Sequence, residues 1–184
     1  MLTKEGLIQE ISKTIVKSKV EKLTAILDKQ QFALRDLIDL TFYVDKDIAF
    51  RSAWIMENLF LKKPGVYVDD LEYLVSRVKD VTYPSCQRHY AKILMHITAK
   101  KAPPSIKKIL DEMDLELVIE KLFDWLIDTK VLIAVKVFAS EALFNLRLRY
   151  PWITEELKEQ MKFLMRDGTA AIQSRGSKLL EKLC

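Results

Sequence analysis

Almost every segment of this 184-residue chain repeats its apolar residues at intervals of three and four, and no stretch alternates strictly over the length of a strand. That period predicts an all-α chain with more than two thirds of its residues in helices. Gly and Pro point the same way, at 4 and 5 residues against roughly 12% in average usage. The glycines stand alone at positions 6, 65, 168 and 176, so neither a G-x-G-x-x-G turn nor a G-x-x-x-x-G-K loop can form, and nucleotide binding by either is excluded. An apolar content of 49% is ample for one continuous core without disulfide or metal staples.

Two cysteines, Cys86 and Cys184, lie 98 residues apart and form no disulfide framework. A reducing cytoplasm is the expected location. The first residues, interrupted by Lys4, Glu5, Glu10 and Lys13, lack a signal-peptide core. The longest apolar stretch, Val131 to Val135 and Val137 to Ala139 after Lys136, falls far short of the ~18 residues a membrane span needs.

Punctuation divides the chain into short helices. Ser18 is placed to cap a helix carrying Val20, Leu23, Ile26 and Leu27, and Phe32, Leu34, Leu37, Ile38 and Phe42 mark the next. A longer helix runs from Asp47 to Lys63, where two lysines suit the C-terminal dipole and Pro64-Gly65 stops propagation. Leu71 to Val78 is short; Pro84 opens another helix, closed by Lys100, Lys101, Ala102, Pro103 and Pro104. Ile106 to Met113 and Leu115 to Ile127 follow. From Val131 to Ala139 eight of nine residues are apolar, too many for one face, so that helix is expected to be covered on several sides. It continues to Pro151. Two amphipathic helices, joined at Asp167 and Gly168, finish the chain. No long linker interrupts it, so one domain is expected over 1–184, with capping helices in 1–29 and stacked helix pairs in 30–184.

The pairs repeat. Each second helix carries a basic residue near its start: Arg51-Ser-Ala-Trp, Arg88-His-Tyr-Ala, Lys136-Val-Phe-Ala and a degenerate Arg175-Gly-Ser-Lys. These anchors are 37, 48 and 39 residues apart, near the ~40 to 47 of helical repeats that stack pairwise. The longer offset accommodates the extra helix after Pro103. Over residues 30 to 184 the chain resembles the HEAT and armadillo class of α-solenoid, whose second helices often begin with a basic residue followed by alanines, as Lys136, Ala139, Ala142 and Leu143 do here. Trp54 in the first unit and Gly176 in the fourth depart from that pattern. The resemblance implies an α/α superhelix of about four helix pairs.

Charge is sorted by helix. Segments 46–63, 84–101, 130–149 and 168–184, the second helices with their flanks, hold 15 Lys and Arg against 4 Asp and Glu, while the rest of the chain holds 15 against 22. On a wheel, Arg88, His89, Lys92 and His96 oppose the Ala91, Leu94, Ile97 stripe, and Lys136, Ser140 and Arg147 oppose Val135, Ala139, Ala142 and Leu146. In a solenoid the second helices line one surface, so these stripes are expected to join Arg51, Asn58, Lys62, Arg175, Lys178 and Lys182 in a solvent-facing basic ladder.

Chemistry is harder to find. His89 and His96 are seven residues apart, two turns or ~10.5 Å along the axis, so one ion cannot join them with Cys86, and no metal or other cofactor is expected. Glu57, three residues after Trp54, faintly resembles the acid-and-aromatic groove of the HEAT-like alkylpurine DNA glycosylases. A tryptophan at helical spacing is more often core. The chain is too short for adenylosuccinate lyase, another all-helical enzyme, and lacks its Ser-Ser, Met-Pro, Lys, Asn-Pro loop. The expected role is therefore a non-catalytic adaptor whose ladder binds an acidic protein segment. The alternative is a nucleic-acid-binding protein using the same cations on phosphates.

Overall fold

The structure, a computed structural model, describes residues 3–13, 22–25 and 32–183. Among them helices hold more than two thirds of the residues and no β-strand occurs. Thr3 opens α1 (Lys4–Ser12), its hydroxyl accepting from the Gly6 amide at 3.2 Å. Ser18 and most of its expected helix lie outside the described residues, though Leu23 is buried. Next come α2 (Leu34–Leu40) and α3 (Lys46–Lys62). The cap of α3 is Asp45, whose carboxylate accepts from the Asp47 and Ile48 amides at 2.9 and 3.3 Å. Pro64 ends α3 as expected, but it also opens a 3-10 segment, Pro64–Asp70, that leads into α4 (Leu71–Ser76).

A single 3-10 turn, Val78–Asp80, precedes α5 (Pro84–Ile97), and α6 (Pro104–Glu112) follows; both helices carry proline at their first position, where no intrahelical amide is needed. Thus α6 is the extra helix that lengthens the 48-residue offset. The chain ends with α7 (Glu116–Ile127), α8 (Ile133–Leu146), α9 (Ile153–Met165) and α10 (Ala170–Leu183). The helix expected to reach Pro151 stops at Leu146.

Second helices pack on second helices. The sequence of contacts runs α3 to α5, α5 to α8 and α8 to α10, while α2, α7 and α9 each pack on the second helix that follows them in the chain. α8 has neighbours on several sides, since α5, α7, α9 and α10 all touch it, although Leu132 and Ile133 at its start are exposed. Ala139 and Ala142 are fully buried there; their small size lets the helix axes approach. Ala139→Leu is expected to cost ~1 to 3 kcal/mol by overpacking. A thermal melt unchanged from wild type would show room at that junction. Gly176 has a related cause: a Cβ there would run into Met165 Sδ and lie 3.1 Å from Met161 Cε, both on α9.

Candidate functional site

The recurring cation does structural work in three of its four positions. Arg51 is only 15% exposed in its side chain, and its Nη1 donates to the Ser12 and Ile11 carbonyls at 3.2 and 3.4 Å, closing the C-terminus of α1. Its Nη2 also meets Asp47 at 3.4 Å. Lys136 corrects the expected ladder outright. Its side chain is buried, at 5% exposure, and Nζ donates to the Leu126 carbonyl at the end of α7, 2.7 Å away. Helix C-termini leave carbonyls unpaired and carry partial negative charge, so a cation from the next helix satisfies both needs. Burial pulls the Lys136 ammonium below its ordinary value, with the Asp128 charge opposing. Arg175 pairs with Glu141 of α8 at 3.0 Å. Arg88, exposed, makes no ion pair among the described residues.

His89 is the second correction. Expected on a solvated stripe, it is 1% exposed because the α3–α5 contact covers that side of α5. Its Nδ1 lies 2.7 Å from Glu57 Oε2, and Lys92 Nζ holds Oε1 of the same carboxylate at 2.5 Å. Burial works to raise the Glu57 carboxyl, but the hydrogen bonds and charge of His89 and Lys92 outweigh it and hold the group below the usual carboxylate range. Phe50 and Trp54 roof this cluster, with Trp54 stacked on the His89 ring at 6.3 Å between centroids and 22° between planes. Glu57 and Trp54 are therefore brought together as the spacing suggested, yet both carboxylate oxygens are occupied and the acid is buried. Cys86 is buried beside the Thr41 carbonyl, and its thiol is pushed up to about 11 by burial. His96 is half-buried.

The remaining ladder members divide. Asn58 turns back to the Trp54 carbonyl at 3.0 Å, and Arg147 lies over the Phe144 ring at 3.6 Å. Lys182 also approaches that ring, at 5.8 Å. Lys62, Arg88 and Lys178 are exposed and make no ion pair among the described residues. The ladder thus exists as a row of helices but not as a row of free cations.

A stronger basic feature escaped helix-by-helix counting. Residues 81–110 contain no Asp or Glu, while Arg88, Lys92, Lys100, Lys101, Lys107 and Lys108 fall within them. Fold contacts add Lys62 and Lys63, because the end of α3 meets the end of α5 and the start of α6 around one hollow. Lys62, Lys63, Lys100 and Lys101 are all exposed. A window scan for acid-free sequence would have found half of this cluster; the other half depends on the fold.

Paired helices stacked in this order, with second helices forming their own layer, are the arrangement of an α-solenoid. Comparison with known families agrees: the HEAT repeat domain matches residues 7–183. The chain is a HEAT-repeat protein. Its match covers nearly the whole sequence, including the degenerate fourth unit and part of the segment ahead of residue 30. No curated protein and no solved structure is significantly similar to it. HEAT repeats as a class mediate protein interactions. Among the described residues no helix is long and apolar enough to cross a membrane.

Proposed function

We propose that this HEAT-repeat protein is a non-catalytic interaction adaptor, and that its partner presents an acidic segment to the cations left free on and between the second helices. The observation that carries this reading is the cluster of exposed lysines at the ends of α3 and α5, together with the absence of any acid from residues 81–110. Two helix C-termini contribute about half a negative charge each. Lys62, Lys100 and Lys101, all exposed, carry three positive charges against that single negative one, so capping does not use all of their charge. Arg88 and Lys178 extend the same sign along the second-helix layer. Burial of His89 and Lys136, the pairing of Lys92 and Arg175 with carboxylates, and the contact of Arg51 with the end of α1 shorten the strip of free cations that a nucleic-acid backbone would need.

The test is charge reversal where the fold does not use the charge. A triple variant, Lys62→Glu, Arg88→Glu and Lys178→Glu, is expected to melt with the wild type and to bind a Glu-rich peptide about tenfold more weakly, measured by fluorescence anisotropy in low salt. Equal affinity in the variant would move the site elsewhere. Tighter binding of generic duplex DNA than of the peptide, collapsing steeply with added salt, would replace the reading with nucleic-acid binding.

A further inference from the structure

The hollow between the ends of α3 and α5 and the start of α6 has its own chemistry. Its floor is apolar, formed by Phe60 of α3, Ile93 and Ile97 of α5, and Ile106 of α6. Leu61, Pro64 and Pro103 form half-buried walls, and His96 and Lys101 sit at the rim. The cavity volume is about 140 Å³, close to the roughly 150 Å³ that receives a benzene-sized group in an engineered protein cavity. The space therefore fits one apolar side chain and is too small for a helix or a strand.

Lys101 lines the hollow itself, and further lysines neighbour its lining residues in the chain. Lys62 and Lys63 lie in the chain between the wall residues Leu61 and Pro64; Lys100 and Lys101 follow α5; Lys107 and Lys108 follow the floor residue Ile106. Lys107 reaches the Lys100 carbonyl, which ties the first turn of α6 to the loop that follows α5. His96 is held below its ordinary value, chiefly by burial and then by Lys92 and Lys101, with Glu57 opposing. The rim thus offers cations and the floor offers only hydrocarbon.

We propose that this hollow is the anchoring pocket of the acidic segment: one Leu- or Phe-sized side chain enters it, and carboxylates on either side in the partner sequence meet Lys62, Lys100, Lys101 and Lys108. The proposal rests on the acidic-partner reading above and adds the requirement for an apolar anchor. An acid-only peptide would leave the floor wet, and an uncharged apolar peptide would leave the lysines unpaired. The pocket supplies the discrimination, because a hydrophobic recess separates side chains that differ by a single methylene by about 10- to 200-fold.

Three hexapeptides separate the two claims: an acidic one with a central Leu, the same peptide with Ala, and an uncharged Gln/Asn version with Leu. The acidic Leu peptide is expected to bind at least about tenfold more tightly than either of the others. In a methyl-labelled sample it should shift the Ile93, Ile97 and Ile106 signals while leaving Ile119 of α7 and Ile172 of α10 in place. Equal, salt-sensitive affinity for the acidic Leu and Ala peptides overturns the pocket and leaves the acidic partner standing. Equal affinity for the acidic and uncharged Leu peptides overturns the acidic partner and leaves an apolar pocket. Shifts confined to the control methyls overturn the location, and failure of all three to bind in low salt overturns both claims.

Discussion

Glu57→Ala is expected to lower stability by about 3 kcal/mol, because it strands His89, which the fold has taken from water, and unpairs the partly buried Lys92. His89 keeps its Nδ1 aimed at an empty space inside the α3–α5 contact, and Lys92 loses the carboxylate that holds it at 2.5 Å. For a chain of this size, that loss corresponds to a melting temperature lower by roughly 6 to 12 °C. Glu57→Gln keeps the shape and removes the charge, so it isolates the electrostatic part. The sign of its pH dependence follows from the direction of the shift. The Glu57 carboxyl is held below its ordinary value in the folded chain, so its contribution is complete above the ordinary carboxylate range and is lost as pH falls through the folded value. The stability gap between wild type and Glu57→Gln should therefore be widest near neutral pH and close below about pH 4.5. A gap that is constant from pH 7 to pH 3, followed by urea melts, would assign the effect of Glu57 to packing alone.

The fold was legible because its signals are local and repeated. Pro84 could be read as a helix start from the residue type, whereas Pro104, read as closing punctuation, opens α6; eight apolar residues in nine could be read as a helix with neighbours on several sides before any neighbour was known. The candidate site was legible only in part, because a helical wheel records which residues share a face and not how much of that face a neighbour covers. His89 lies on the polar side of α5, but α3 packs far enough round to bury it. Lys136 follows the same logic at α8, where the end of α7 supplies a carbonyl that makes burial tolerable. Arg51 was found as an anchor of the repeat, and it meets the end of α1 as Lys136 meets the end of α7. Charge counting by helix could not separate cations spent on helix ends from cations left over. The basic cluster around the hollow was missed for a complementary reason, since its lysines come from three helix ends that only the fold brings together.

Lys136→Glu is the other large effect expected, and it decides whether the recurring cation belongs to the fold or to a binding face. A carboxylate at this buried position would face the Leu126 carbonyl at the negative end of α7, near Asp128, with no donor to offset its desolvation. The cost should be about 3 to 5 kcal/mol, enough to lower the melting temperature by roughly 6 to 20 °C. Lys136→Met separates charge from shape: it gives up the hydrogen bond but also the penalty of burying an ammonium, so it should lie within about 1.5 kcal/mol of wild type. The alkaline side supplies a sign. Because the folded chain holds the Lys136 ammonium below its ordinary value, the unfolded chain binds more protons between the two values, and wild-type stability should rise with pH relative to Lys136→Met across that window. A Lys136→Glu protein that melts with the wild type would place the side chain in solvent and return it to the ladder. If it melts early instead, any loss of peptide binding in that variant reports unfolding, and the exposed cations at Lys62, Arg88 and Lys178 remain the ones whose reversal speaks to the partner.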